Sequence, residues 1–359
     1  MSDPLKAEGL TRLSEVADAH VGDDKVPGLV ALVARGDQVH VEALGSLTIG
    51  GPAVKRDSLF RIASTTKPIT GAATLALVDE GLLALDEPVD RLLPELANPR
   101  VLRRMDGPLD DTTEAGRAIT VRDLLTFTFG FGMVMEMFMA PEPWPVVRAA
   151  TGLHLSIIGP PNPAEQPDPD TWIAALGSLP LLAQPGERWL YSTGASVLGV
   201  LLTRAAGQPF ADVLRSRILA PLGMADTAFW VTDIGRLATA YLPTPDGLQV
   251  WDAPDGQWSR PPAFGDGAAG LVSTADDLLA FARALLRCGD PVLTAESVRQ
   301  MTRDQLTVEQ KARDGKGFLE GCSGDSASPS SPKALTRAPT AGTAVSAPPG
   351  WSIRSAISS

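Results

Sequence analysis

Residues 60–70 have the sequence FRIASTTKPIT, in which Ser64 and Lys67 place a hydroxyl and an amine three residues apart. The residues before Ser64 form a short strand-like run, and those after it have the apolar spacing of a helix. Pro68 fits the first turn of that helix, where a missing N–H costs nothing. Because side chains at positions i and i+3 share one helix face, the amine can reach the hydroxyl. The segment therefore predicts a serine nucleophile activated by a lysine at the start of a helix.

The Ser-x-x-Lys pattern alone is weakly specific, and the chain itself shows why. A second copy occurs at Ser330 and Lys333, in a Ser- and Pro-rich stretch without the periodicity of a helix that could hold the two side chains together. The chain has three histidines, and none lies in an obvious catalytic motif. It also lacks the Gly-x-Ser-x-Gly nucleophile motif of Ser-His-Asp hydrolases. The assignment of Ser64 therefore depends on the sequence around it.

The bulk composition is that of a globular protein, with 359 residues, 44% hydrophobic and 20% charged. The net charge of −11 argues against nucleic acid or a membrane surface as a partner, because both need basic patches. Cys288 and Cys322 have neither disulfide-framework nor metal-site spacing, so we expect no metal or other cofactor. The polar first residues, and the lack of an apolar stretch of about 20 residues, predict a cytoplasmic protein.

Periodicity predicts strands toward both ends of the chain with helices between them. The predicted helices cover residues 5–20, 65–80, 121–127, 195–206, 210–219 and 274–286. The predicted strands cover residues 28–34, 39–44, 58–63, 227–231, 237–242 and 271–272. This arrangement predicts the α+β class, with one antiparallel sheet and helices packed on it.

The chain divides into regions of different composition. Residues 1–82 and 183–320 are predicted to form one α/β sandwich domain that carries the nucleophile. Residues 83–182 contain Pro-rich connections and helical pieces, and we expect a mostly helical domain there. Within it, the Met-rich run at 133–139 is predicted to form a pliable wall of an apolar pocket, because it follows a Gly-Phe-Gly loop.

Several ordered blocks around the nucleophile resemble the serine β-lactamase and penicillin-binding-protein superfamily, above all its class C branch and esterase relatives. They are FRIASTTKPIT (60–70), LALDEPV (83–89), ITVRDLL (119–125), PGERWLYS (185–192) and GLVSTADDL (270–278). Blocks in a shared order over residues 5–320 are far more specific than one motif. The resemblance implies a β-lactamase-like fold, in which helices flank an antiparallel sheet.

The resemblance also implies catalytic roles. Ser64 is the nucleophile that becomes acylated, Lys67 helps to deprotonate it, and Tyr191 carries the proton. The family often has Asn two residues after the tyrosine, where it binds the amide of β-lactam substrates, and this chain has Thr193. Thr193 therefore favours ester substrates over β-lactams.

A family loop that commonly contains His-Thr-Ser-Gly has the more apolar sequence FTFG at 127–130. This change favours substrates with hydrophobic parts. We expect Thr193, Phe129 and Phe131 to contact the substrate.

The predicted function is a serine carboxylesterase acting on a small-molecule ester, with an amide or lactam as the alternative substrate. Three other functions stay open: a β-lactamase or D-alanyl peptidase, an acyltransferase on the same scaffold, and a non-catalytic homologue that keeps the fold. Neither a Rossmann nor a P-loop glycine fingerprint is present.

The family's third motif, Lys-Thr-Gly or a Trp- and Gly-rich variant, is missing from the sequence. Residues 321–359 are rich in Ser, Ala and Pro and predict a disordered tail. In a shifted frame, residues 338–351 can encode Pro-Asp-Gly-Trp-Asp-Gly-Gly-Leu-Gly-Thr-Ser-Trp-Val, which resembles the missing motif. We hypothesise that the chain is out of frame with its ancestral gene from about residue 321. An incomplete sheet would then expose an edge that can pair with a second copy, and activity would be impaired.

Overall fold

The structure is a computed structural model that describes residues 5–155 and 157–314. The predicted tail at 321–359 and the second Ser-x-x-Lys copy lie outside the described residues. The predicted frame change, and the sheet edge that depends on it, therefore stay predictions. Across the part of the chain that is described, no helix is long and apolar enough to cross a membrane.

Helices make up most of the regular structure. They are α1 (Ala7–Ala19), α2 (Thr66–Asp79), α3 (Val121–Leu125), α4 (Met135–Met139), α5 (Pro145–Gly152), α6 (Pro169–Gly177), α7 (Thr193–Ala206), α8 (Phe210–Leu214), α9 (Ala220–Leu222), α10 (Ala275–Leu286), α11 (Ala295–Thr302) and α12 (Val308–Asp314). The strands are β1 (Gly28–Arg35), β2 (Gln38–Gly45), β3 (Phe60–Arg61), β4 (Arg100–Leu102), β5 (Thr112–Glu114), β6 (Ala240–Thr244), β7 (Gly247–Asp252) and β8 (Val272–Ser273). This combination of helices and antiparallel strands confirms the predicted α+β class.

The strands pair as four two-stranded antiparallel sheets among the described residues, which corrects the prediction of one sheet. The strands of the β1–β2 hairpin lie within one residue of their predicted bounds, and the chain turns at Gly36, whose φ of 57° suits glycine. The predicted strand at 58–63 is reduced to β3, because Ile62 leaves extended geometry at a ψ of 2°. β3 pairs with β8 over two residues.

One predicted strand, at residues 227–231, is not a strand in the structure. It contributes only a single bridge between Ala228 and Val272. The segment is held by contacts in different directions, since Thr227 Oγ1 donates to Asp277 Oδ2 while the Val231 N–H donates to the Trp258 carbonyl. These contacts satisfy its polar groups without a second strand.

The long helices lie close to their predicted bounds. α2 is buried along most of its length, with Ile69, Ala72 and Leu77 fully enclosed, and it packs against α7. The same hydrophobic core extends to Val101 and Trp172. Residues 83–182 therefore share a core with the rest of the chain, and their division into a separate domain stays a prediction.

Candidate active site

Ser64 lies in a 3₁₀ turn, Ala63–Thr65, between β3 and α2. The turn begins at Ala63 with a φ of 42°, which few residues with a side chain adopt. The Ile62 N–H donates to the Leu271 carbonyl at 2.9 Å and ties the entry to the turn to the segment before β8. Ser64 is thereby placed at the N-terminus of α2, where the helix dipole favours negative charge.

The structure brings Ser64, Lys67 and Tyr191 together. Lys67 Nζ donates a hydrogen bond to Ser64 Oγ at 3.0 Å, and the Tyr191 hydroxyl donates to the same oxygen at 2.8 Å. Lys67 Nζ also lies 4.7 Å from the centroid of the Tyr191 ring. The serine oxygen is therefore within proton-transfer distance of two groups that can exchange a proton with it.

A tight turn holds the other side of Lys67. Its Nζ donates to the Ala268 carbonyl at 2.8 Å. The turn is stabilised by Asp266, whose Oδ1 accepts from the Ala268 N–H at 2.9 Å and from Ser196 Oγ at 2.6 Å. Asp266 is only 8% exposed, so these bonds compensate for the burial of its polar atoms. The sequence signals the turn through its small residues, but it does not show that the turn meets Lys67.

Gly267 allows that turn to approach α7. A Cβ at this position would lie 2.4 Å from the Ala195 carbonyl oxygen. The Gly267 carbonyl also accepts from Thr70 Oγ1 of α2 at 2.8 Å. A side chain at residue 267 would push the turn away from both helices.

The segment that carries Tyr191 is held on both sides. Tyr191 and Met133 exchange two backbone hydrogen bonds, of 2.8 and 3.0 Å. The Tyr191 ring also lies 6.0 Å from the ring of Phe127 and 5.7 Å from that of Trp189, centroid to centroid. Ser192 follows at a φ of 86°, and α7 begins at the next residue.

Two of the three predicted substrate contacts, Phe129 and Phe131, are enclosed in the core, whereas the role of Thr193 stays a prediction. The side chains of Phe129 and Phe131 have no exposed surface and belong to the hydrophobic core. We therefore revise their expected role from substrate contact to packing beneath the loop. Thr193, at the first turn of α7, is 4% exposed and close to Tyr191 in sequence. Phe127, which the sequence did not single out, is the loop residue that meets the tyrosine ring.

The Met-rich run lines a cavity of about 410 Å³. α4 supplies Met135 and Met139 to it, and Trp144 closes another side. The run begins at Met133, which pairs with Tyr191, so the residues that line this cavity follow closely in sequence on a residue beside the site. Another cavity, of about 390 Å³, lies at Asp79 and Arg217. It is at the far end of α2, about 20 Å from Ser64 by the rise of a helix, which disfavours it as the substrate pocket.

The Beta-lactamase family model matches residues 13–324. Protein Rv1367c of Mycobacterium tuberculosis is 42% identical over 308 residues, which cover 83% of this chain and 72% of that protein. Esterase EstB of Burkholderia gladioli is 32% identical over 345 residues, which cover 90% and 82%. The structure of EstCE1, a hydrolase with promiscuous acyltransferase activity, aligns with a TM-score of 0.67 at 26% identity, over 85% of this chain and 79% of that one.

Proposed function

This chain belongs to the beta-lactamase family, and on that premise we propose that it cleaves carboxylic esters through an acyl-Ser64 intermediate. The observation that carries the proposal is the contact of Ser64 Oγ with Lys67 Nζ at 3.0 Å and with the Tyr191 hydroxyl at 2.8 Å. Similarity to the esterase EstB supports an ester as the substrate.

Acylation begins when Ser64 Oγ attacks the ester carbonyl carbon and its proton passes to the Tyr191 oxygen. This step requires Tyr191 as a phenolate, so that its oxygen accepts the Ser64 proton along the 2.8 Å contact, with the Lys67 ammonium as the counter-charge. The carbonyl oxygen becomes an oxyanion at the N-terminus of α2, where the helix dipole stabilises it. The bond to the leaving oxygen then breaks, and the proton on Tyr191 passes to that oxygen, so that the alcohol is released.

Deacylation follows the same steps as acylation, with water as the nucleophile. Tyr191 takes a proton from water as the water oxygen attacks the acyl carbon. The bond to Ser64 Oγ breaks, the proton returns from Tyr191 to that oxygen, and the carboxylic acid leaves. The enzyme then has its starting protonation again.

The test is intact-mass measurement after treatment with a fluorophosphonate, together with hydrolysis of p-nitrophenyl esters. We expect one adduct, on Ser64, and no adduct or turnover in Ser64→Ala. The matched control is Ser330→Ala, which removes the serine of the other Ser-x-x-Lys copy and should leave both readouts unchanged. Labelling or turnover that survives Ser64→Ala would overturn the proposal.

The substrate we favour is an ester with a hydrophobic acyl group. The cavity beside α4 supports this choice through Met135, Met139 and Trp144. The charged residues Glu136, Arg313 and Asp314 line another part of its wall. Thr193, in place of the family's common Asn, supports esters over β-lactams. Turnover should therefore be faster with p-nitrophenyl esters of medium-chain acids than with acetate, and nitrocefin should be a poor substrate. Preference for nitrocefin would instead favour the β-lactamase alternative.

Acyl transfer is the second candidate, and similarity to EstCE1 favours it. In this reaction an alcohol or amine, in place of water, attacks the acyl carbon on Ser64. Addition of an alcohol acceptor to an ester assay should then yield a new ester at the expense of free acid. Acid as the sole product at high acceptor concentration would exclude this activity. A cytoplasmic location stays a prediction for either reaction.

A further inference from the structure

The final described helix, α12, ends in a carboxylate that is buried against the segment before Tyr191. The side chain of Asp314 has 0% exposed surface. Its Oδ1 accepts from Arg188 Nε at 2.7 Å, and its Oδ2 accepts from the Trp189 backbone N–H at 2.9 Å. Both carboxylate oxygens are therefore directed at residues 188 and 189.

α12 has a second attachment to the same segment. Gln310 Nε2 donates to the Gly186 carbonyl at 2.8 Å, and the Arg313 guanidinium lies 3.7 Å from the Glu187 carboxylate. Four consecutive residues, 186–189, thus contact one short helix. We call the contacts of Gln310, Arg313 and Asp314 with these residues the α12 latch.

The buried carboxylate depends strongly on its partners. A charge withdrawn from water costs several kcal/mol unless it is paired and hydrogen-bonded. Arg188, whose side chain is only 14% exposed, supplies the opposite charge, and the Trp189 N–H supplies a further donor. Loss of the carboxylate would leave the guanidinium without its buried ion-pair partner and would release the backbone at Trp189.

A displacement at Trp189 is transmitted to the catalytic site over two residues. The Trp189 ring contacts that of Tyr191, and the Leu190 N–H donates to the Phe127 carbonyl at 2.8 Å. The Tyr191 hydroxyl must stay 2.8 Å from Ser64 Oγ to exchange a proton with it. A misplacement of about 1 Å in such a contact can cost about 10²-fold in rate.

We propose that Asp314 is a positioning residue: through Arg188 and the Trp189 N–H, it holds Tyr191 in hydrogen-bond distance of Ser64. The proposal rests on the proposed function, because it takes Tyr191 as the proton carrier. No family block contains Asp314, which is 126 residues from Arg188 in sequence.

The test is the second-order rate of Ser64 phosphonylation by a fluorophosphonate, followed by intact mass in the full-length protein. We expect Asp314→Ala to lower this rate by about 10- to 100-fold. Asp314→Asn keeps an oxygen for the Trp189 N–H and should recover part of the loss. The control is Asp304→Asn, which breaks the exposed ion pair with Lys311 in the segment that leads into α12. Exposed ion pairs contribute little, so this variant should change the rate by less than about twofold.

A double-mutant comparison separates positioning from general damage. If Asp314 acts through the Tyr191 hydroxyl, Asp314→Ala should lower the rate by less than about threefold in a Tyr191→Phe background. An equal fall in both backgrounds, or no fall in the wild-type background, would overturn the proposal. Should Asp314→Ala fail to fold, Asp314→Asn carries the same comparison.

Hydrogen exchange tests the latch without chemistry at Ser64. Asp314→Ala should speed exchange of the Trp189 amide, because it removes the acceptor of that N–H. Asp304→Asn leaves the Asp314 carboxylate in place and Asp314→Asn keeps an amide oxygen there, so neither should speed exchange. If the fluorophosphonate does not label Ser64 in the wild-type protein, the proposed function fails, but hydrogen exchange at Trp189 still tests the α12 latch. Unchanged exchange at Trp189 in Asp314→Ala would refute the latch itself.

Discussion

Two unusual backbone conformations flank the proposed catalytic groups at the scale of single residues. Ala63, just before Ser64, has a φ of 42°, and Ser192, just after Tyr191, has a φ of 86°. Such conformations cost about 1–3 kcal/mol for residues with a Cβ, and they persist where the surrounding structure imposes them. The buried helix α2 and the paired Met133–Tyr191 segment supply that constraint here.

Replacement of Ser192 by glycine should relieve this strain. We expect Ser192→Gly to raise the free energy of unfolding by about 1 kcal/mol, because glycine adopts positive φ at no steric cost. Denaturant unfolding measures the change. Ser178→Gly is the control: Ser178 has a φ of −78°, so glycine there should destabilise the protein. A loss of stability in Ser192→Gly equal to that of the control would show that the conformation is unstrained.

The two tyrosines of the chain offer a matched pair of hydroxyl deletions. Tyr191→Phe removes the contact with Ser64 Oγ and should lower the rate of ester hydrolysis by about 10²–10⁴-fold, the usual contribution of general acid–base catalysis. The Tyr241 hydroxyl instead accepts from the Ile49 N–H at 3.0 Å. Tyr241→Phe should therefore affect the Tm and leave the rate per folded molecule unchanged. Comparable rates in the two variants would contradict a catalytic role for Tyr191.

At the scale of elements, the packing of the 266–268 turn against α2 and α7 places the Ala268 carbonyl beside Lys67. Gly267→Ala would place a Cβ 2.4 Å from the Ala195 carbonyl oxygen. The turn must then move, and the Ala268 carbonyl moves with it away from Lys67. We expect a stability loss of about 1–3 kcal/mol and a lower rate of ester hydrolysis.

Gly71→Ala on α2 serves as the control for this change. Its added Cβ would meet only a Leu125 methyl group, at 3.9 Å. Alanine has the higher helix propensity, so this variant should gain up to about 1 kcal/mol. If Gly267→Ala were as stable and active as Gly71→Ala, the close approach would have no consequence.

An ion pair at the end of α7 links that helix to residues 83–182. Both terminal nitrogens of the Arg204 guanidinium, Nη1 and Nη2, donate to the Glu95 carboxylate at 2.8 Å, and these bonds hold the pKa of Glu95 below its ordinary value of 4.5. Because the pKa of Glu95 is lower in the folded than in the unfolded protein, the ion pair stabilises the fold at pH values above the unfolded pKa. That contribution is lost as the pH falls through the folded pKa.

Glu95→Gln should therefore lower the Tm at neutral pH, and its deficit relative to wild type should shrink as the pH falls below 4.5. Calorimetry over a pH series measures this. A deficit that is constant from neutral to acidic pH would mean that the carboxylate charge makes no contribution.

The predicted frame change concerns the whole molecule. If it is correct, restoring the frame from about residue 321 should supply the Trp- and Gly-rich motif, whose strand provides a second oxyanion donor in the family. We expect ester hydrolysis to rise by about 10²–10³-fold, the usual effect of one such donor. Sequencing the source DNA comes first. Equal rates for the original and frame-restored proteins would contradict the predicted impairment.

The elements that the sequence predicted well are those whose signals are local. Helices α2, α7 and α10 lie within two residues of their predicted bounds, because apolar periodicity and N-terminal residues such as Thr274 act over a few positions. Within residues 5–155 and 157–314, the strands form four small antiparallel sheets instead of one, and residues 227–231 are not a strand, because strand pairing depends on partners far away in sequence. The burial of Phe129 and Phe131 was also missed, since the sequence of a loop does not show which of its side chains meet the core.

The sequence by itself determined the nucleophile motif, the family and most helices. Each of these depends on residue types at short, regular spacings. Only the tertiary structure decided what surrounds the nucleophile: Tyr191 and Ala268 are 127 and 201 residues from their partners Ser64 and Lys67. Asp314 reaches the same segment from the last described helix. These contacts arise where elements far apart in sequence pack together, and packing depends on the shape and burial of whole elements, which no local pattern records.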